Sequence, residues 1–383
     1  MLKPRSTPVD ASGELAIVTQ DPRFRGGALS QLRAFLCATE AIEQPTRLLY
    51  GRRKPLQDPT PLPDVRALET RSVLSRVDAA MVPLVARRHE QLARDARSVW
   101  VVATIAFYGL TALRSGRAYG CWIGTTYESE QRGRRPGLDA ARRMSVALNG
   151  PALRRWEREV LQNAALLLAP TEQIAIELAA AANVATERVG VLPIPIDTEL
   201  FAPLADPEWA RCPPRLVFVG RADDPRKNLR LLLDAFRLAR LTMPDLQLRL
   251  VGRPPSGSLP EGVEAVGEVS DVASHIRDAR LLVLPSLQEG FGVVVAEALA
   301  CGVPVVTTPC GGPVEAVLGS GAGRVLQGFD PEELALATLG LVEDEATLVT
   351  MRRAARQYAL DRYGVDRFRA SVEDAMDVLA RAA

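Results

Sequence analysis

A glycine-rich segment between two carboxylates is the strongest candidate for chemistry in this sequence. It comprises Glu289, Gly290, Phe291 and Gly292, and a helix expected to open at Gly292 carries Val293 and Glu297. Glycines let backbone amides approach a ligand closely, and the amides that open a helix form an anion site supported by the helix dipole. Glu297 follows about 7.5 Å further along that helix. A carboxylate on each side of a phosphate-type site suits hydroxyl groups of a sugar at one end and of a ribose at the other.

Two cations follow the end of another expected strand. The strand ends at Gly220, and Arg221 and Lys227 lie in the loop before the next helix. Cations at the carboxyl end of a strand suit a diphosphate. Lysine occurs at three positions in the chain, so Lys227 stands out among the many arginines. The alternative interpretation is a basic loop whose charges are solvated, with glycines that only mark turns.

A weaker signal lies near the N-terminus. The first expected strand leads into Gly26-Gly27 and then into a helix. A double glycine alone is commonly just a turn. The sequence contains no G-x-G-x-x-G motif, which counts against a dehydrogenase.

Short apolar runs alternate with longer helical patterns, which is typical of parallel β/α domains. Strands are expected at Glu14–Gln20, Thr46–Tyr50, Ser98–Ile105, Gly120–Thr125, Leu166–Ala169, Arg188–Leu192, Arg215–Gly220, Gln247–Gly252, Val263–Val266, Arg280–Pro285, Pro304–Thr307 and Gly323–Leu326. Helices are expected at Ala28–Ala38, Pro151–Ala165, Leu229–Leu241, Gly292–Cys301, Pro331–Glu343, 345–362 and 364–381. The predicted fold class is α/β, with two doubly wound Rossmann-like domains that face each other across a cleft.

The domain boundaries follow from a proline-rich stretch. An N-terminal domain over residues 1–192 is expected to lie on the acceptor side, and residues 193–214 form a linker. A nucleotide-binding domain over 215–362 follows, and residues 363–383 are expected to return to the first domain as a helix. Open parallel sheets bind ligands at the carboxyl ends of their strands, so facing crevices would hold two substrates against each other.

Composition excludes several classes of protein. The 383 residues carry 47 basic and 46 acidic side chains, which argues against a nucleic-acid binder. The longest apolar run, Val99–Leu113, is shorter than a membrane-spanning helix needs, and residues 1–13 lack the apolar stretch of a signal peptide. Five scattered cysteines and two histidines predict a reducing cytoplasm and no metal site.

Together these segments resemble the GT-B fold glycosyltransferases of family 4, the retaining class that uses nucleotide sugars. The E-x7-E pattern of the family is similar to Glu289 and Glu297, and its G-R-x5-K site is similar to Gly220–Lys227. Its later glycine pair looks like Gly311-Gly312, and its first-domain glycine loop looks like Gly26-Gly27. The resemblance covers most of the second domain and is looser in the first.

The resemblance implies roles for these residues. Glu289 and the amides of Phe291 and Gly292 would hold the donor sugar, and Glu297 would hold the ribose. Arg221 and Lys227 would hold the diphosphate, so the expected catalytic groups are Glu289, Arg221 and Lys227. Arg253 would border the base. The full set of expected donor-binding residues is Gly26, Gly27, Gly220, Arg221, Lys227, Arg253, Glu289, Gly290, Phe291, Gly292, Val293 and Glu297.

The first domain departs from the family at one position. Members often carry a histidine after a first-domain strand, near the reacting carbon, and here Tyr127 or Thr126 occupies that place. Tyr127 is therefore a candidate catalytic residue. His89 lies in a charged helical context and is expected on the surface, and His275 is expected on a short helix away from the site.

The expected function is the metal-independent transfer of a sugar from a nucleoside diphosphate sugar to a hydroxyl acceptor, with retention. No D-x-D motif occurs, so no metal and no cofactor are expected beside the donor. The acceptor is left open as a glycan, a lipid-linked molecule or a small molecule. Two alternatives stay open: a nucleotide-sugar epimerase, and a non-catalytic protein that keeps the donor site and binds a partner.

A basic segment in the first domain has two interpretations. Residues 131–143, with Arg154, Arg155 and Arg158, could contact an anionic acceptor or a membrane surface. The simpler interpretation, which we favour, is a solvated arginine-rich loop and helix face. The expected location is the cytoplasm, with peripheral contact at the inner face of the membrane as an option.

Overall fold

Two parallel β-sheets, one in each half of the chain, carry the residues of interest. The computed structural model describes residues 13–20, 27–52, 66–71, 78–134, 138–255 and 257–382. Every strand pairing among these residues is parallel. The two doubly wound domains expected from the sequence are confirmed, and Gly26 lies outside the described residues.

The N-terminal lobe is built on a seven-stranded sheet of order β3-β2-β1-β4-β5-β6-β7. Its strands are β1 Leu15–Val18, β2 Thr46–Arg52, β3 Arg66–Arg71, β4 Ser98–Ala103, β5 Tyr119–Ile123, β6 Leu166–Ala169 and β7 Val189–Val191. Its helices are α1 Gly27–Ala41, α2 Asp78–Asp95, α3 Leu110–Ser115, α4 Tyr127–Arg134, α5 Ala140–Gln162 and α6 Glu172–Ala182. The order reverses beside β1, which places the crevice of this lobe at the carboxyl ends of β1 and β4.

The C-terminal lobe repeats this plan with a six-stranded sheet of order β10-β9-β8-β11-β12-β13. After a short helix α7 at Asp206–Ala210, its strands are β8 Arg215–Val219, β9 Gln247–Val251, β10 Val263–Gly267, β11 Leu281–Leu284, β12 Val305–Thr307 and β13 Gly323–Val325. Its helices are α8 Leu229–Thr242, α9 Val272–Arg277, α10 Val293–Ala300, α11 Gly312–Ser320, α12 Pro331–Val342 and α13 Glu345–Tyr363, and α14 Val365–Ala382 follows.

The central strands are apolar because helices cover both faces of each sheet. All four residues of β11, Leu281–Leu284, are buried, and in β4 only Ser98 is partly exposed. The loops after β8 and β11, which are neighbours in the sheet, therefore emerge side by side at one edge. These are the loops that carry Lys227 and Glu289.

The proline-rich segment between the lobes packs on the C-terminal lobe through Trp209. This side chain is 1% exposed, and its Nε1 donates to the Ala279 carbonyl at 3.1 Å. The guanidinium groups of Arg280 and Arg352 lie 4.0 and 4.2 Å from the centroid of its ring, and cation–π attraction adds to the burial of the indole. The second half of this segment is thus anchored to the sheet that follows it.

The last helix, α14, packs against the N-terminal lobe. The rings of Phe368 and Trp122 lie 5.2 Å apart between centroids, and Trp122 belongs to β5. The chain crosses between the lobes at Tyr363, whose carbonyl accepts a hydrogen bond from the Ile196 amide at 2.8 Å. Two chain segments therefore join the lobes.

Some expectations for the N-terminal lobe were wrong. Strand β3 has no strong apolar pattern in the sequence and was not expected. Helix α5 begins at Ala140 rather than Pro151, because the Asp139 side chain caps it by accepting from the Arg142 amide at 2.8 Å. His89 is buried at 3% exposure rather than on the surface, and burial lowers its pKa.

Among the described helices, none is both long and apolar enough to cross a membrane.

Candidate active site between the lobes

Lys227 and Glu289 meet at the carboxyl edge of the C-terminal sheet. Lys227 Nζ lies 2.6 Å from Glu289 Oε1, and the Ser286 hydroxyl donates to the same oxygen at 2.6 Å. Both charged side chains are largely buried, at 17% and 15% exposure. The ion pair holds an ammonium group and a carboxylate in fixed positions at the end of β8 and β11.

The loop after β11 needs glycine at two positions. A Cβ on Gly290 would lie 2.9 Å from the Gly124 carbonyl oxygen of the N-terminal lobe, so the two lobes approach each other here at backbone distance. Gly292 has φ +75°, and a Cβ there would lie 2.6 Å from Pro313 Cγ. This left-handed conformation turns the chain into α10, whose first residue is Val293. Phe291 is buried beside Tyr363, with ring centroids 5.5 Å apart.

Glu297 lies in α10, beyond the glycine loop. Burial raises the pKa of its carboxyl group to about 8. Burial alone accounts for this rise, and the residue as a whole is partly exposed. A partly buried carboxyl group gains free energy when ligand hydroxyl groups form hydrogen bonds with it.

The predicted cations occupy different places. Arg221 is half exposed, and its Nη2 lies 2.6 Å from Asp224 Oδ2, at the outer side of the loop after β8. Gly220 lies beside the lysine stem, because a Cβ there would lie at van der Waals distance, 3.4 Å, from Lys227 Cε. Arg253 is also half exposed and lies 3.3 Å from Asp223. Lys227 is thus fixed against Glu289, whereas the two more exposed arginines form ion pairs with Asp224 and Asp223.

On the opposite side, the first turn of α1 faces the start of α10. A Cβ on Gly27 would lie 3.6 Å from Val293 Cγ2. The first residues of the two helices therefore lie close together, and each helix dipole favours an anion at its own N-terminus.

Tyr127 begins α4 and is buried in its own lobe at 4% exposure. Its amide donates to Glu157 Oε1 at 2.9 Å, and its ring lies edge-on to Phe107 at 6.1 Å between centroids. A Cβ on Gly150 of α5 would lie 3.5 Å from the tyrosine hydroxyl oxygen. Burial raises the pKa of Tyr127, so the phenol stays protonated near neutral pH.

Three further charged residues were not expected from the sequence. Glu157 is 3% exposed, and burial raises the pKa of its carboxyl group to about 7. Arg226 and Glu130 form an ion pair across the lobes, with Nη1 and Oε2 3.2 Å apart. Because Arg226 directly precedes Lys227 in the sequence, its position could have identified it as a candidate. Glu130 and Glu157 lie on charged helices whose sequences give no sign of which carboxylate turns inward.

The C-terminal lobe matches a known family. Residues 213–344 match the family model described as Glycosyl transferases group 1. D-inositol 3-phosphate glycosyltransferase 1 of Catenulispora acidiphila is 30% identical over 251 residues, which are 55% of this chain and 56% of the relative. Phosphatidyl-myo-inositol mannosyltransferase of Mycolicibacterium smegmatis is 32% identical over 166 residues, 40% of this chain and 43% of the relative. The chain thus spans about half the length of the curated relatives that it matches.

Solved structures match nearly the whole chain at low identity. Sucrose-phosphate synthase from Thermosynechococcus elongatus superimposes with a TM-score of 0.77 at 19% identity, covering 97% of this chain and 100% of that one. Anabaena HepE in complex with UDP gives a TM-score of 0.72 at 16% identity, covering 95% and 99%. Structural similarity at such low sequence identity establishes the fold alone.

The fold of the whole chain and the family match of its C-terminal lobe indicate the same class of protein. Two doubly wound lobes facing across a gap define the GT-B fold, and this chain has it. Residues 213–344 of its C-terminal lobe are similar to the Glycosyl transferases group 1 family.

Proposed function

We propose that this protein transfers a sugar from a nucleoside diphosphate sugar to a hydroxyl acceptor, with retention of configuration and without a metal ion. The observation that carries the proposal is the pair of Lys227 and Glu289, 2.6 Å apart beside the glycine turn at Gly290 and facing the other lobe. The family of the C-terminal lobe supports the reaction class. HepE, with the same fold, was solved with UDP, which supports a nucleotide donor.

In this proposal the C-terminal lobe stabilises the leaving group. Transfer passes through an oxocarbenium-like state, and negative charge accumulates on the departing diphosphate. Lys227, with Arg221 turned in from the rim, and the amides that open α10 would stabilise that charge. Glu289 would orient both the lysine and the hydroxyl groups of the donor sugar. Glu297 would accept from the ribose, and Arg253 would border the base.

Retention allows the acceptor to attack from the face that the nucleotide leaves. The departing phosphate oxygen can then take the proton of the acceptor hydroxyl, so no strong protein base is needed at Tyr127. Charge on the diphosphate would be neutralised by the cations of the protein, so the proposed reaction is independent of metal ions. Contact of the lobes at Gly290 and Gly124 would exclude water and so limit hydrolysis of the donor.

The test is nucleotide release from a panel of nucleoside diphosphate sugars, with and without acceptors. The acceptors include simple sugars and inositol phosphates, because two relatives are named for inositol-containing acceptors. Release that requires an acceptor, with retained configuration and no loss in EDTA, supports the proposal. Isomerisation of the donor without release would instead identify an epimerase, and binding without turnover would identify a non-catalytic donor-site protein. Loss of activity in EDTA that magnesium restores would overturn metal independence.

Contact with a membrane surface stays a prediction. The start of α5 exposes Met144 and Leu148, at 63% and 76%, beside the exposed Arg142 and Arg143. Cationic groups next to apolar side chains favour anionic lipid. Sedimentation with liposomes, with and without anionic lipid, tests this contact.

A further inference from the structure

An ion pair joins the N-terminal lobe to the turn that presents Lys227. Arg226 lies in the 3-10 turn Pro225–Lys227, and its Nη1 lies 3.3 and 3.2 Å from the two carboxylate oxygens of Glu130 on α4. Its Nη2 and Nε contact Asp224 at 2.9 and 3.2 Å. Arg226 therefore binds one carboxylate from each lobe.

The pair is shielded from water. The side chains of Arg226, Glu130 and Asp224 are 19%, 10% and 13% exposed. Burial opposes ionisation of Asp224, but the hydrogen bonds and the charge of Arg226 outweigh it and lower the pKa of Asp224 to about 2. A shielded, hydrogen-bonded charge pair is costly to break from one side, because the remaining charge loses its partner without regaining water.

The same turn is tied to the loop that carries Glu289. The Leu287 amide donates to the Arg226 carbonyl at 2.7 Å, and Lys227 Nζ reaches Glu289 Oε1 at 2.6 Å. Arg226 is the residue directly before Lys227. A displacement of Arg226 therefore moves the lysine and loosens its contact with the glycine loop.

Helix α4 touches the C-terminal lobe at a second point. A Cβ on Gly133 would lie 2.8 Å from Cβ of Gln288, so the helix backbone packs directly on the loop after β11. Glu130 also pairs with Arg134 of its own helix, which is half exposed. Glu130 thus has one partner within its lobe and one across the gap.

We propose that Glu130 is a positioning residue, which acts through Arg226 to fix Lys227 for the leaving diphosphate when the lobes are closed. This inference rests on the proposed function. It gives the N-terminal lobe a role in positioning Lys227, the cation of the C-terminal lobe that would stabilise the leaving diphosphate. Because Glu130 has no expected contact with the nucleotide, its loss should affect turnover more than nucleotide binding.

The chain offers a matched pair of variants. Glu130→Gln removes the negative charge from the contact between the lobes, whereas Arg134→Gln removes the other partner of the same carboxylate and leaves that contact in place. Glu130→Gln should lower kcat about ten- to a hundredfold, with Kd for UDP and GDP within about twofold of the parent protein. Arg134→Gln should leave kcat within about twofold. Glu130→Asp keeps the charge and should recover part of the rate.

A second measurement reports the distance between the two lobes directly. Labels at Leu148→Cys and Leu241→Cys, which are exposed at 76% and 82% in opposite lobes, report their separation after Cys37 and Cys212 are replaced by serine. A longer or broader separation in Glu130→Gln than in Arg134→Gln supports the ion pair as a lock between the lobes. This readout needs no turnover, so it stands even if the parent protein transfers no sugar and the proposed function fails.

Either of two outcomes would overturn the inference. It is wrong if Glu130→Gln and Arg134→Gln agree in both kcat and lobe separation. It is also wrong if Glu130→Gln weakens UDP and GDP binding by the same factor as it lowers kcat, because Glu130 would then act on the nucleotide itself. Thermal unfolding of each variant distinguishes these results from a general loss of stability.

Discussion

The two lobes share one topology but hold their candidate residues in different ways. In the C-terminal lobe, Lys227 and Glu289 lie in loops and meet at 2.6 Å at the edge of the gap. In the N-terminal lobe, Tyr127 is buried with its amide bound to Glu157, a partner within the same lobe. The C-terminal lobe thus presents fixed charge to the gap, whereas the charge of the N-terminal lobe is directed inward or across to Arg226. This difference is consistent with the proposed reaction, in which the C-terminal lobe stabilises the leaving group.

The largest expected effect is at Lys227. Lys227→Ala should lower kcat about a hundred- to a thousandfold, because a preorganised donor to the developing charge is removed. The measurement is turnover at saturating donor, with thermal unfolding to monitor the fold. The control is Arg230→Ala, a cation three residues further along that is 93% exposed. Near-normal turnover in Lys227→Ala would refute the role of the donor lobe in stabilising the leaving group.

A smaller effect is expected at Glu297. Above pH 8, where Glu297 is ionised, Glu297→Gln should weaken nucleoside diphosphate binding about tenfold, because a hydrogen bond from a ribose hydroxyl to a charged acceptor is lost. Titration calorimetry with UDP and GDP measures this change. Glu261→Gln, at a carboxylate that is 90% exposed, is the control. Equal affinity in the two variants would remove Glu297 from the nucleotide site.

The same variant tests the pKa of Glu297. The folded protein raises this pKa from 4.5 to about 8, so the folded state holds a proton that the unfolded state has released. The free energy of unfolding of the parent protein should therefore fall, relative to Glu297→Gln, as pH rises from about 4.5 to about 8. Urea unfolding at several pH values measures the difference. Parallel pH profiles would show that the carboxyl group titrates normally.

The smallest effect is expected at Tyr127. Tyr127→Phe should change kcat by no more than about threefold, because the hydroxyl lies beside Gly150 of its own lobe and the leaving phosphate takes the acceptor proton. Tyr127→Ala, which removes the ring packed against Phe107, should instead lower the melting temperature. A hundredfold loss in Tyr127→Phe would assign the phenol a direct part in the reaction and make the lobes more alike than we infer.

The sequence predicted the elements of the C-terminal lobe better for a physical reason. Strand, glycine loop and helix start follow one another within a few residues around Gly290, so local spacing alone predicts them. The same local rules located β11 and α10 to within a residue or two. Charge pairs such as Glu130 and Arg226 join residues that are 96 positions apart, and no local pattern encodes their contact.

The two wrong predictions, of a helix start and of a surface histidine, also have local causes. Pro151 suggested a helix start, but Asp139 supplies the cap and the helix continues through the proline. His89 looked exposed because its sequence neighbours are charged, yet its own side chain turns inward. Sequence context describes the average environment of a segment, whereas burial is decided for each side chain by the elements that pack on it.

The packing of Phe368 against Trp122 has a consequence for how the chain is made. Helix α14 follows the C-terminal lobe in the chain but packs on the N-terminal lobe, so this packing cannot form until the ribosome has released α14. Until then, the apolar surface around Trp122 lacks its cover while the second lobe is still being synthesised. Truncation before Val365 would leave a finished second lobe attached to an incomplete first one, which makes α14 a poor place for deletions.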